Sequence, residues 1–186
     1  MSRKGIRGHS GATGLLVALA LVLAGPIASA HACAGAGAKP PQLSGAQAQQ
    51  AIVCLINKKR AHFHARKLHA NHLLASAAAE HSSSMNQLNY FSHDSSSDGT
   101  PVDRIRGAGY MAGASSWMVG ENLSWGTDVL STPKGTVAAW MHSPEHRSVM
   151  LSRSFREVGI GFVPGSPTGS DEGAGAIYTA DFGFRR

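Results

Sequence analysis

Three side chains have the type and setting for acid–base or metal chemistry: His93, Glu121 and His146. If Val119-Gly-Glu-Asn-Leu-Ser-Trp125 is extended, the period of two puts Val119, Glu121, Leu123 and Trp125 on one face. A carboxylate among apolar groups is unstable unless paired, so an inward Glu121 requires a positive, hydrogen-bonding or metal partner. A loop glutamate turned to solvent fits the spacing equally well. His93 follows Tyr90-Phe91-Ser92 and precedes a polar loop, residues 94–100. His146 falls in the first turn of a helix opened by Ser143-Pro144, where the helix dipole disfavours imidazolium. Neutral imidazole is the form that ligates a metal or acts as a base.

The other chemistry-bearing residues have plainer readings. Of the ten histidines, His62, His64, His69 and His72 crowd one segment beside Lys58, Lys59, Arg60, Arg66 and Lys67. No carboxylate or cysteine converges there, and a solvated basic surface is expected. Ser92 is a conceivable nucleophile, but neither a strained nucleophile turn nor an oxyanion element surrounds it. Arg104 and Arg147 each lie on a helix near a candidate residue and could pair with Glu121 or an anionic ligand; structural salt bridges are the expected role.

The elements that must position these residues follow from caps and periodicity. Ser44 with Gln47 makes a capping box, and Ala48, Ile52, Leu55, Ile56 and Phe63 follow at helical spacing. A second helix follows Asn71, with Leu74, Ala78, His81, Met85 and Leu88 on one inward stripe. Three later helices open with a hydroxyl cap and a proline: Thr100-Pro101, Thr132-Pro133 and Ser143-Pro144. Trp140 and Met141 belong to the core. Val158, Ile160 and Phe162 alternate with Gly159 and Gly161, leaving one apolar face and one of bare backbone. Tyr178, Ala180, Phe182 and Phe184 alternate likewise across a Gly/Ser/Pro-rich loop, 164–175, expected to be mobile. An antiparallel hairpin with a third strand through 119–125 makes an α+β fold.

The order Phe91-Ser92-His93, Asp98-Gly99, Asp103-Arg104, Gly120-Glu121-Asn122-Leu123, Trp140 to Arg147 and Val158-Gly159-Ile160-Gly161 resembles the bacterial branch of the CAP superfamily. That superfamily includes cysteine-rich secretory proteins, insect venom antigens and plant pathogenesis-related proteins. The resemblance runs from Leu55-Ile56-Asn57 and Arg60 to Asp181-Phe182-Gly183. It implies a three-layer α-β-α sandwich with a short antiparallel sheet, and a cleft lined by His93, His146 and Glu121. In some members this cleft holds a divalent metal, often zinc, with the two histidines as ligands and Glu121 nearby. This chain departs from the pattern twice. It has Ser143 where animal and plant members carry a second cleft glutamate, and Glu145 before His146 where glycine is usual.

Bulk properties narrow the setting. A basic start (Arg3, Lys4, Arg7), an apolar run at 15–24 and small residues at 28–32 make residues 1–32 an expected signal peptide, cleaved after Ala30 or Ala32. The run is too short to span a bilayer, and no transmembrane segment is expected elsewhere. Residues 33–44, rich in Gly, Ala and Pro, are expected to form a flexible arm, and residues 45–186 the domain. The net charge of +6 falls to about +3 without the leader, and no dense basic run points to nucleic acid. In an oxidising compartment Cys33 and Cys54 should be bridged. The expected protein is a secreted, extracytoplasmic monomer that binds a cell-envelope polymer, lipid or peptide. The alternative is a zinc-dependent or metal-free hydrolase.

Overall fold

Alternation of glycine with large apolar residues in the last third of the chain sets the middle layer of the molecule. In the computed structural model, which describes Met1 and residues 33–169 and 175–186, β3 (Glu157–Pro164) pairs antiparallel with β4 (Ala176–Arg185). Strand β2 (Trp117–Gly126) pairs antiparallel with the other edge of β4. The expected signal segment beyond Met1 and the centre of the 164–175 loop lie outside the described residues. A two-residue β1 (His69–Ala70) adds parallel to β3, giving the order β1-β3-β4-β2. Two residues carry no alternation, so β1 has no sequence signature; His69 N donates to Arg156 O (2.9 Å) and Asn71 N to Val158 O (3.0 Å).

Helices cover both faces. The helix α1 (Gly45–His62) carries the Ser44/Gln47 capping box, and α2 (His72–Leu88) is capped by the Asn71 side chain. Helices α3 (Pro101–Gly107), α4 (Pro133–His142) and α5 (Pro144–Leu151) each begin at the expected hydroxyl–proline pair. Fixed proline φ and a missing N–H suit the first turn of a helix, and Pro144 turns the chain from α4 into α5. On one face Val158, Ile160, Tyr178 and Phe182 pack with Ile52 and Ile56 of α1, Val137 and Trp140 of α4, and Met150 of α5.

On the opposite face α2 lies directly against the sheet. A Cβ at Gly159 would meet the backbone of Leu74 and Ala75, and one at Gly161 the backbone of Ala78 and Ala79. The bare strip read from the sequence is therefore the seat of α2. His81 faces inward as its stripe requires, fully buried. Leu88 does not: it ends the helix 57% exposed, and Tyr90 packs instead against Met85, Leu123 and Ile177. Asn89, at φ 54°, makes the left-handed cap that turns the chain there.

Two further expectations change. Residues 33–44 are held to the body, with Leu43 and Cys33 buried and Lys134 N donating to Ala36 O (2.8 Å). The Cys33–Cys54 disulfide and one apolar anchor outweigh a composition that favours flexibility. Arg60, grouped with the basic surface, is fully buried and donates to the carbonyls of Arg66, Met150 and Ser152, joining the end of α1 to the end of α5.

Candidate functional site

Glu121 points inward. It stands on β2 opposite Asp181 of β4, and its side chain is 2% exposed. Both oxygens are engaged: His93 Nδ1 lies 2.7 Å from Oε1, and Arg104 Nη2 donates to Oε2 at 2.8 Å. Burial pushes this carboxyl up, but the His93 hydrogen bond and the Arg104 guanidinium outweigh it, and Glu121 titrates below its ordinary value. The same hydrogen bond raises His93, against its partial burial and the Arg104 charge.

Arg104 is the hub beneath His93. Its other contacts are Asp98 Oδ1 (3.3 Å), Gly99 O (2.8 Å) and His93 O (2.9 Å), so one guanidinium fixes both the backbone and the side-chain partner of His93. Asp98 in turn meets His81 Nδ1 at 2.7 Å, and His81 Nε2 lies 3.0 Å from Ser92 O. Both ring nitrogens of His81 therefore face oxygens, Asp98 Oδ2 on one side and Ser92 O on the other. The loop bearing His93 is thereby tied to α2 and α3 by buried, charge-assisted hydrogen bonds.

His146 is held differently. Its Nδ1 lies 2.8 Å from Ser143 Oγ, the cap of its own helix, and its carbonyl accepts from Asn122 Nδ2 at 2.9 Å. Asn122 follows Glu121 on β2, so adjacent residues of one strand serve the two histidines. Burial, then the charge of His93, lower His146. Its neutral form was expected from the helix dipole; desolvation is the leading cause. Glu145 is exposed, and its charge acts on His146 in the opposite sense, raising it.

The remaining sequence candidates take other roles. Ser92 Oγ accepts from Asp94 N (3.3 Å), a turn-capping contact. Arg147 lies over the Phe63 ring, 4.8 Å from its centroid. A cavity of about 490 Å³ runs along α1 between Val53, Asn57 and Ala70, and none of the three candidates lines it. The sequence reading missed the partnership of Asp98 with His81, although the inward stripe had placed His81 in the interior.

A short mixed sheet between α2–α3 and α1–α4–α5, with histidines arriving from a loop and a helix start, is the α-β-α architecture of SCP-type domains. A sequence description of the cysteine-rich secretory protein (CAP) family matches residues 53–182, and the chain belongs to that family. The uncharacterized protein YkwD of Bacillus subtilis (strain 168) is 31% identical over 134 residues, 72% of this chain. The match covers 46% of YkwD, so the chain spans about half the length of that relative. An extracellular SCP-domain protein from Bacillus anthracis superposes with a TM-score of 0.59 at 28% identity, over 74% of this chain and 40% of that one. An outer surface protein of Borrelia burgdorferi matches with a TM-score of 0.59 at 19% identity, over 73% and 90%. The last likeness concerns the fold alone. No described helix is long and apolar enough to cross a membrane.

Proposed function

We propose that the chain is a secreted, extracytoplasmic binding protein whose His93, Glu121 and His146 line a cleft that takes a cell-envelope polymer, lipid or peptide. The observation that carries this reading is that each imidazole is anchored through Nδ1, His93 on Glu121 and His146 on Ser143. Both Nε2 atoms are thereby left for a ligand, and rings held in place lose little entropy on binding. Pull-down against envelope fractions tests it. The wild type should be retained and the His93→Ala, His146→Ala double variant released; equal retention would move the binding surface elsewhere.

The same anchoring favours a second reading. A histidine whose Nδ1–H is held by a carboxylate is the outer-shell pattern of zinc ligands. In this reading His93 and His146 would be the ligands through Nε2, and Glu121, with both oxygens committed, would orient His93 and not ligate, since among the described residues no three His, Cys, Asp or Glu side chains converge on one centre. A bound zinc would supply a Lewis acid and an activated water. Calorimetric titration should then give one zinc per chain, lost in the double variant. Absence of binding at micromolar zinc defeats the zinc-hydrolase reading and leaves the binding reading standing.

A further inference from the structure

Asp181 is the one acid in this region that none of these roles uses. It lies in β4, fully buried, with Glu121 of β2 opposite it on one side and Gly159 of β3 on the other. Because Gly159 has no side chain, the backbone of α2 at Leu74 and Ala75 closes over this part of the sheet. Among the described residues no donor reaches either Asp181 oxygen. The nearby cation does not serve it, since both terminal nitrogens of Arg104 are spent on Asp98, Gly99 O, His93 O and Glu121, and its Nε reaches no acceptor.

We infer that Asp181 is a neutral carboxylic acid that gives its proton to the Glu121 carboxylate, and so acts as a positioning residue for His93. An ionised Asp181 would be a buried charge with nothing to accept from, beside a second carboxylate. As an acid it has one proton to give and an acceptor registered opposite. Glu121 then holds three donors, from His93, Arg104 and Asp181, which is within the capacity of two carboxylate oxygens. Burial and the negative charge of Glu121 both push Asp181 up, in the same direction as this geometry. The consequence reaches the surface: a Glu121 fixed as an anion keeps Nδ1–H on the inner side of the His93 ring and Nε2 on the outer side. The inference rests on His93 being a working group of the cleft, but its test needs no ligand.

The test is carbon NMR at neutral pH on the full chain labelled at the aspartate carboxyl carbons, with the Asp181 signal assigned by its disappearance in Asp181→Asn. The expected signal lies at the position of a protonated acid, apart from the ionised aspartates; a signal among the ionised acids overturns the inference. Asp181→Asn, which keeps a neutral donor, should melt within about 3 °C of wild type and leave the His93 Nδ1–H resonance in place. Asp181→Leu, which removes the donor, should move that resonance. A resonance displaced equally by Asn, or untouched by a folded Leu variant, overturns the positioning role. Should the Leu variant not fold, the carbon signal and the Asn variant decide.

Discussion

On one face of the sheet Val158, Ile160, Tyr178 and Phe182 meet Ile52, Ile56, Trp140 and Met150, an apolar contact in which shape and volume set stability. On the other, Glu121, Asp181 and Thr179 lie under α2, which brings His81 and Ser82; Ser82 Oγ donates to Thr179 Oγ1 at 2.8 Å. Both faces are buried, but the second is held by charge balance and by glycines that admit a helix backbone. The first face can lose a methylene and repack. The second has a helix backbone against its glycines, leaving no room for a Cβ at Gly159 or Gly161, and it is the one that carries the anchored histidine.

The largest expected effect lies where helix and strand touch. Gly161→Val places a side chain into the backbone of Ala78 and Ala79, and should lower stability by more than about 4 kcal/mol or prevent folding. Ile160→Val, the adjacent residue on the apolar face, should lower it by about 0.5–1.5 kcal/mol. Urea denaturation of the pair measures the difference directly; similar losses would mean that the two faces are packed alike.

Next is Arg104→Met, which keeps the volume and removes the cation. Glu121 is left buried, and Asp98 half-buried, without their shared partner, and the expected loss is about 3–5 kcal/mol. His93 should lose its fixed orientation at the same time, so retention on envelope fractions falls with stability. A loss below about 1 kcal/mol would show that the polar face is not held by this charge.

Removing the disulfide sharpens the contrast from outside the sheet. Cys33 and Cys54 are 21 residues apart, and the Cys33→Ser, Cys54→Ser variant should lose about 2–4 kcal/mol as the unfolded chain is freed of its constraint. Neither cysteine touches the network around His93, so retention by the cleft should be unchanged in the folded fraction. Reduced retention at full folding would tie the N-terminal segment to the cleft.

These regions were unequally legible in the sequence. Caps, prolines and the glycine alternation marked five helices and three strands, because each depends on its immediate neighbours. The spacing left an inward Glu121 and a solvent-turned one equally open, and its partner Arg104, distant in sequence, could be named only as one option among several. Asp181 alternates with Ala180 and Phe182 and so reads as the solvent side of a one-sided strand. That α2 covers this side follows from Gly159 and Gly161 only once the helix is known to cross there. β1 was invisible for a similar reason, since its hydrogen bonds go to distant backbone, which carries no side-chain code; of the docking of residues 33–44 only the Cys33–Cys54 bridge was legible.

The smallest effect separates the inner half of the polar network from its outer half. Burial opposes ionisation of Asp98, but the hydrogen bond and charge of His81, with Arg104, outweigh it, so Asp98 titrates below the ordinary aspartate range. A depressed carboxyl contributes stability that is present above its unfolded value and is lost as pH falls through the folded one. Wild type should therefore exceed Asp98→Asn in stability above about pH 4, with the gap closing as the pH drops through the acid limb. Thermal melts of both proteins across that range give the gap. If it were constant with pH, Asp98 would hold His81 and Arg104 by hydrogen-bond geometry alone, and the charge balance assigned to this face would reduce to the Arg104–Glu121 pair.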